Sequence, residues 1–293
     1  MTEDARAEAI RLYDHYTHEG LDRRAFMAEL TRIAGGTAAA SAVLAGIAAN
    51  PAAAAIVPPN DPRVRASELT FIDGPAISYN AYVAEPAGPE AARAAVLVIH
   101  ENRGLNDHIK DVARRVALAG HYAVALDFLS PLGGTPADQD AARTAIGKLD
   151  LATSTEAGAA VLCTLRRRAG GNGRVGAVGF CWGGAMVNRL AVAAGSDLDA
   201  GVVFYGTAPT GAEAARVRAP LLIHLAERDA RVNATALPWV VALRNAGRPV
   251  RAINHHGVEH AFHNDTSAER YDAKAARRAW GETLSFFRRH LNA

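Results

Sequence analysis

The sequence predicts an α/β fold built on a mostly parallel, doubly wound sheet that is flanked by helices. From about residue 66 onward, short apolar runs alternate with segments that have helical spacing. Runs such as residues 94–100 are apolar throughout, which is typical of strands buried on both faces of a sheet. Strands that alternate with helices favour parallel pairing with helices on both sides. In such sheets, ligands bind beyond the carboxyl ends of the strands.

The elements are expected in a regular order. Two strands, "ELTFI" and "AISYNAYVAEP", flank the turn residues Asp73, Gly74 and Pro75. A buried strand at 94–100 precedes a helix at 108–120, and residues 122–128 form the next strand. Later strands are expected in "RVGAVGF", "LDAGVVFYG", "PLLIHLAERD" and "VRAINHH", with helices between them. A long helix, "SAERYDAKAARRAWGETLSFFRRHL", closes the chain.

Composition narrows the class of protein. The 293 residues suffice for one large α/β domain and an extra segment. The net charge of +2 comes from scattered basic residues, and nucleic-acid binding would need a concentrated basic face. The two cysteines, Cys163 and Cys181, form no CxxC spacing and no disulfide framework, although a bridge between them stays open. Cys163 lies in an apolar helical pattern and is expected in the core. We therefore expect no nucleic-acid partner, and we expect no cofactor. We also expect no metal, since the histidines lack H-E-x-x-H spacing.

The first 60 residues differ from the rest and are predicted to be an extension of a domain at 61–293. Arg23 and Arg24 precede an uncharged, Ala- and Gly-rich stretch at 33–55, an order that resembles a twin-arginine export signal. Such a signal implies the twin-arginine machinery as partner and an exported or periplasmic protein; without it the protein is cytoplasmic. The stretch is too rich in Gly and Ala for a permanent membrane span. The alternative is a docked helix pair with an Ala-rich linker, because residues 3–20 have an amphipathic pattern of their own.

The segment "VGFCWGGA" carries the first chemical signal. Cys181 falls just after a predicted strand and just before a helix, and G-x-C-x-G is the cysteine form of the nucleophile elbow. Small neighbours let strand and helix approach closely around such a strained turn. The helix N-terminus favours a thiolate, and the Trp182 N–H is expected to face a developing oxyanion. The alternative is a buried structural cysteine at a Gly-rich turn.

A nucleophile needs a base, and the base needs a group that orients it. Asp229 and His260 each follow a predicted strand, and the order Cys181, Asp229, His260 is that of the α/β-hydrolase fold. Asp229 would otherwise be a turn residue or a partner of Arg228 or Arg231. His260 competes with three other histidines, namely His255, His256 and His263.

A third loop follows the first buried strand at "VIHENRGL". In this fold that loop supplies the second oxyanion N–H, for which Asn102 is the candidate. Glu101 is expected to face Cys181 and either hold the thiol or exchange a proton with it. The alternative is a solvated glutamate paired with Arg103.

Together, H-E-x-x-G, G-F-C-x-G-G and an Asp followed by G-x-x-H-x-F resemble the dienelactone hydrolases (carboxymethylenebutenolidases) over residues 66–293. The resemblance implies a Cys-His-Asp triad of Cys181, His260 and Asp229, with Glu101 modulating the thiol. A longer match resembles a bacterial subgroup whose N-terminal extension has the same basic-then-apolar pattern. The family's substrate-binding arginine four residues after the histidine is replaced here by Asn264. Arg143 is a loose candidate for its second arginine. Arg103 and Asn264 are the candidates for substrate binding, Arg103 through an anionic group.

The prediction is therefore a hydrolase that cleaves a lactone or small carboxylic ester through a thioester intermediate. One alternative is a broad-specificity carboxylesterase. The other, from a different class, is a non-catalytic thiol sensor or ligand-binding protein, which would not need Asp229 and His260.

Overall fold

The computed structural model describes residues 1–48, 55–73, 77–88 and 92–292. Its centre is an eight-stranded sheet in the order β1-β2-β4-β3-β5-β6-β7-β8. The strands are β1 (Val64–Asp73), β2 (Ile77–Pro86), β3 (Arg93–Ile99), β4 (Tyr122–Leu126), β5 (Gly171–Phe180), β6 (Ala200–Phe204), β7 (Leu221–Ala226) and β8 (Val250–His255). β1 and β2 pair antiparallel, as do β2 and β4, and every other pairing is parallel. The predicted fold class is confirmed.

The helices are α1 (Glu3–His18), α2 (Arg23–Ala34), α3 (Thr37–Ile47), α4 (Asp107–Leu118), α5 (Gln139–Ile146), α6 (Leu151–Arg166), α7 (Trp182–Ala193), α8 (Ala230–Asn245) and α9 (Ala273–Leu291). Of these, α4 and α9 cover one face of the sheet, and α6, α7 and α8 cover the other. One apolar core joins the sheet to α6, α7 and α8 through residues such as Leu162, Leu190 and Trp239. The opposite core joins it to α4 and α9 through Val112 and Phe287. Burial on both faces explains why the central strands are apolar throughout.

Three sequence expectations differ from the structure or fall outside it. The last helix begins at Ala273 rather than at Ser267, because the Ser267 hydroxyl and Arg270 bind the Ile47 carbonyl and the Asp272 side chain caps the helix. Cys163 is only partly buried, and both cysteines are free. The predicted turn at Gly74 and Pro75 and residues 49–54 of the apolar stretch lie outside the described residues.

The N-terminal segment forms three helices with a small core of their own. Asp22 caps α2 through the backbone N–H groups of residues 24 and 25, so the paired arginines open a helix. The sequence left a docked helix pair with an Ala-rich linker as the alternative to an export signal. The structure has a third helix, α3, within that Ala-rich stretch, and the signal itself stays a prediction. Across the described residues, no single helix is long and apolar enough to span a membrane; α2 and α3 meet that test only as a pair bent by 106°.

Candidate active site

Cys181 occupies a strained turn between β5 and α7. Its φ is 54° and its ψ is −113°, a left-handed conformation that costs a non-glycine residue free energy, and it lies at the N-cap of α7. The glycines around it allow the close approach of strand and helix. A Cβ on Gly184 would lie 2.6 Å from the Phe204 carbonyl oxygen, and one on Gly179 or Gly183 would overlap backbone atoms more severely. These contacts account for the Gly-rich pattern of the motif.

Asp229 and His260 form a buried hydrogen-bonded pair beside this turn. Asp229 caps α8 by accepting from the Val232 N–H at 3.0 Å, and its other oxygen accepts from His260 Nδ1 at 2.5 Å. His260 is 1% exposed, and among the described residues its Nε2 has no hydrogen-bond partner. A ring nitrogen of His260 lies within 4.8 Å of Cys181 Sγ. His260 therefore has Nδ1 held by a carboxylate and Nε2 without a partner, and its ring lies close to the thiol.

The charges around His260 favour its proton-accepting role. Burial alone would lower the pKa of His260, but the Asp229 carboxylate, the Cys181 thiolate and Asp14 outweigh it and raise that pKa well above its usual value. Burial would likewise raise the pKa of Asp229, and His260 reverses this and lowers it. Asp229 thus stays ionised and stabilises an imidazolium on His260.

The competing histidines have other partners. His255 contacts His224 at 3.1 Å inside the domain, and His256 contacts Glu227 at 3.0 Å on the surface. His263 stacks on Phe180 in the apolar core. Arg228, one of the two arginines considered as partners of Asp229, pairs with Glu259 instead, at 3.6 Å.

Glu101 is buried and tied to two neighbours. One carboxylate oxygen accepts from the Asn264 side-chain amide at 2.6 Å, and the other accepts from the Tyr205 hydroxyl at 3.3 Å. Within the described residues it makes no hydrogen bond to Cys181 or to Arg103. Asn264 was predicted to bind substrate. Instead it is 1% exposed, and its amide donates to Glu101 and holds that carboxylate in place.

The two predicted oxyanion donors flank Cys181 in the fold. Trp182 opens α7, and Asn102 lies in the loop after β3. Among the described residues, neither backbone N–H has a hydrogen-bond acceptor, which leaves both available. His100, two residues before Asn102, stacks on the Trp182 indole with 5.3 Å between ring centroids. This contact links the loop after β3 to the start of α7.

Backbone strain is concentrated at this place. In the described chain, the non-glycine residues with positive φ are Cys181, Tyr205 and Ala261, at 54°, 36° and 64°. Tyr205 follows β6 and donates to Glu101, while Ala261 follows His260 directly. Strained residues persist where the surrounding structure holds them, and they cluster at active sites.

A cavity of about 330 Å³ opens above Cys181. Its lining includes Trp182, apolar residues of α5 and α7, and three partly exposed arginines: Arg143, Arg189 and Arg231. The lining contains no Asp or Glu. Arg143, the loose sequence candidate, therefore lies at the cavity, whereas Arg189 and Arg231 were not singled out as binding residues.

Arg103 has a different setting from the one predicted. Its guanidinium is buried and donates to the Tyr13 hydroxyl at 2.9 Å and to the Gln139 carbonyl at 2.7 Å. Since Tyr13 belongs to α1, substrate binding by Arg103 would require α1 to move away.

Sequence reasoning missed the contribution of α1. His18 Nε2 lies 3.8 Å from Cys181 Sγ, and the centroids of the His18 and His260 rings are 5.0 Å apart. Among the described residues, His18, Cys181 and His260 form the one group of side chains that could ligate a metal ion, with donor atoms within 4.8 Å of one another. The available signal was the pattern of tyrosines and histidines in "RLYDHYTH", which has helical spacing but no motif.

The mostly parallel sheet, the cysteine elbow and the acid and histidine after later strands define an α/β-hydrolase fold. The model of the dienelactone hydrolase family matches residues 79–291, and the chain belongs to that family. It is a hydrolase of the dienelactone hydrolase type, which acts on ester bonds.

Three known proteins illustrate the similarity. A protein of Azospirillum brasilense named "Putative carboxymethylenebutenolidase" is 35% identical over 227 residues, which is 73% of this chain and 94% of that one. The crystal structure of a dienelactone hydrolase-like promiscuous phosphotriesterase from metagenomic libraries has a TM-score of 0.68 and 26% identity, covering 78% of this chain and 99% of that one. A fungal esterase structure from Rhizomucor miehei has a TM-score of 0.63 at 14% identity over 98% of this chain and 96% of that one, a likeness in fold alone.

Proposed function

We propose that this hydrolase cleaves a lactone or small carboxylic ester by a Cys-His-Asp triad. The observation that carries the proposal is the arrangement of one strained thiol and one buried pair. Cys181 lies at the elbow, and a ring nitrogen of His260 lies within 4.8 Å of its sulfur. Nδ1 of His260 is bonded to Asp229, and among the described residues its Nε2 has no partner. A nucleophile, a base and a group that orients the base are the parts that acyl transfer requires.

The reaction proceeds in two halves. His260 accepts the thiol proton, the Cys181 sulfur bonds to the carbonyl carbon, and the carbonyl electron pair moves onto oxygen. The N–H groups of Trp182 and Asn102 stabilise that oxyanion. When the tetrahedral intermediate collapses, the ester C–O bond breaks and His260 gives its proton to the leaving oxygen. A water then loses a proton to His260, attacks the thioester, and releases the acid and the thiol.

Glu101 is proposed to modulate the thiol from a fixed position. Its two partners, Asn264 and Tyr205, hold the carboxylate beside the elbow. Burial raises the pKa of Tyr205 well above its usual value, and Glu101 adds to that shift, so Tyr205 remains a hydrogen-bond donor. Asn264 therefore serves Glu101 here, where the family resemblance implied an arginine that binds substrate.

The cavity favours substrates that carry a negative charge. Arg143, Arg189 and Arg231 line it, and the lining holds no Asp or Glu. Arg143 faces Asp140 at 3.7 Å outside the lining, so Arg189 and Arg231 are the stronger candidates for binding an anion. A guanidinium pairs well with a carboxylate, and a cavity of about 330 Å³ suits a small molecule. A small lactone or ester with a carboxylate group fits both properties.

Replacing the nucleophile tests the proposal. Cys181→Ala should lower kcat/KM for p-nitrophenyl acetate by at least about 10³-fold, since no other group supplies the nucleophile. Cys163→Ser is the matched control and should keep wild-type kinetics. Mass spectrometry of quenched wild-type enzyme should detect an acyl group on Cys181. Full activity in Cys181→Ala would rule out the triad and the thioester together.

Two comparisons separate the alternatives. Kinetics on matched lactones and acyclic esters distinguish a lactonase from a broad carboxylesterase by the ratio of kcat/KM values. A non-catalytic thiol protein would form no acyl-enzyme with any of these substrates.

Export is a separate proposal, which Arg23, Arg24 and the apolar stretch after them support. Cleavage of such a signal near residue 55 would remove α1 to α3 from the mature enzyme. It implies the twin-arginine machinery and a periplasmic location. N-terminal sequencing of protein from its native cells tests it: cleavage near residue 55 would support a signal, while an intact N-terminus in the cytoplasm would contradict one.

A further inference from the structure

One face of α1 is turned toward the active site. Tyr13, Asp14, Thr17 and His18 share this face, as residues one turn apart in a helix do. Thr17 and His18 line the cavity above Cys181. Asp14 adds to the raised pKa of His260, although the two residues are far apart in sequence. A helix outside the matched family region therefore contributes polar groups to the site.

Side chains of the hydrolase domain bind the backbone and rings of α1. The Asn102 amide donates to the Thr17 carbonyl at 3.3 Å, and the Arg143 guanidinium donates to the Tyr16 carbonyl at 3.0 Å. Arg143 also lies 4.2 Å from the centre of the Tyr16 ring. All three contacts involve Tyr16 or Thr17, next to His18 at the end of the helix, so the position of His18 is closely determined.

The hydrogen bonds identify which nitrogen of His18 carries the proton. The Thr17 carbonyl only accepts, so Asn102 Nδ2 must be the donor end of that amide. The same Nδ2 faces His18 Nδ1 at 3.5 Å, which makes Nδ1 an acceptor. A neutral imidazole then carries its proton on Nε2, and Nε2 is the atom 3.8 Å from Cys181 Sγ. Burial lowers the pKa of His18 well below its usual value, and the neighbouring His260 lowers it further, so the ring is neutral.

We propose that His18 is a catalytic residue supplied by the N-terminal extension, and that its Nε2–H donates a hydrogen bond to the Cys181 thiolate. The proposal rests on Cys181 as the nucleophile and on an enzyme that retains α1, so it and a cleaved export signal are alternatives. The two histidines then have different tasks. His260, beside Asp229, takes the thiol proton and passes it to the leaving oxygen, while His18 keeps its own proton and stabilises the sulfur anion. A charge-assisted hydrogen bond of this kind increases the fraction of thiolate at neutral pH.

The thiol also faces other charged and titratable groups. From the elements packed around it these are His260, Asp229, Glu101, Tyr205, Asp14, Arg103, Arg231 and Arg270. All of them remain in place when His18 alone is changed, so a difference between wild type and variant reports the His18 contact.

The test measures thiol reactivity in the full chain. In a Cys163→Ser background, where Cys181 is the remaining thiol, alkylation by iodoacetamide is followed by intact mass from pH 5 to 9. His18→Ala should raise the apparent pKa of Cys181 by about one unit and slow alkylation near neutral pH by about tenfold. His18→Gln retains an N–H donor and should recover part of the loss. His15→Ala, an exposed histidine on the same helix, should match wild type.

The sign of the effect separates the proposal from a structural role. If His18 merely packs α1 against the site, His18→Ala loosens the helix and exposes the thiol, so alkylation becomes faster with the pKa unchanged. That result, or an unchanged profile, would overturn the proposal. Its failure is distinct from failure of the triad: an active Cys181→Ala enzyme removes the nucleophile, whereas an unaltered alkylation profile removes His18 alone.

Discussion

The N-terminal helices and the hydrolase domain are held together by different forces. Inside the domain, apolar residues from both faces of the sheet form two large cores. Where α1 and α3 contact the domain, three arginine side chains of the domain donate hydrogen bonds to them: Arg103 to the Tyr13 hydroxyl, Arg143 to the Tyr16 carbonyl, and Arg270 to the Ile47 carbonyl. The domain thus has a packed interior that tolerates little change, while the segment depends on individual hydrogen bonds and cation–π contacts.

Because of this difference, the domain can fold with its triad residues in place, while the active site is completed only when the N-terminal segment docks. The domain alone contains Cys181, Asp229 and His260, each after its own strand. His18 reaches the thiol only through the docked segment. Substitutions in the domain are therefore expected to affect global stability, and substitutions at the interface to affect the local stability of the segment.

The sharpest comparison uses one glycine from each region. A Cβ at Gly183 would overlap the backbone of Ile99 and His100, which cannot move without disturbing β3. Gly183→Ala should cost more than about 4 kcal/mol of unfolding free energy and yield little folded protein. At Gly46 in α3, the added Cβ would lie 2.7 Å from Cγ of Glu269, a surface side chain paired with Arg6, so a side chain rather than the backbone has to move. Gly46→Ala should change stability by less than about 1 kcal/mol, because helix propensity offsets the contact. Equal urea midpoints for the two variants would contradict the comparison.

A smaller loss of unfolding free energy is expected when the pH is lowered. His121 is buried in the domain against Phe287, and burial, with a smaller contribution from Arg288, lowers its pKa to about 4. The unfolded chain, with a histidine pKa of about 6.5, binds more protons between these two values. The stabilising contribution of neutral His121 is therefore complete above about pH 6.5 and is lost as the pH falls through 4.

His121→Phe tests this contribution. Between pH 7 and 4.5, the variant should lose about 2 kcal/mol less unfolding free energy than wild type, as measured by urea titration. The exposed His15 is the control, and His15→Phe should follow wild type. An identical pH dependence for wild type and His121→Phe would show that His121 titrates normally.

The sequence predicted the domain well because its signals are local. Apolar runs, the Gly-rich elbow, and the acid and histidine after their strands each occupy a few adjacent residues. The partners of these groups were harder to predict. Asn264 binds Glu101 across 163 positions, and His18 meets Cys181 across another 163, so no spacing in the chain indicates either contact. The amphipathic pattern of residues 3–20 indicated a helix, but it could not identify the surface on which the helix docks.

The smallest global effect is expected at the interface itself. Arg270 donates to the Ile47 carbonyl at 3.1 Å and lies 5.0 Å from the centre of the Tyr13 ring, so it joins both ends of the segment to the domain. Arg270→Ala should cost about 1–2 kcal/mol of local stability, which speeds hydrogen exchange in α1 by about tenfold and leaves β5 unchanged. Arg277→Ala, an exposed arginine on α9, should leave both unchanged. If α1 and β5 exchange faster to the same extent in Arg270→Ala, the segment and the domain unfold as one unit, and the distinction between the two regions does not hold.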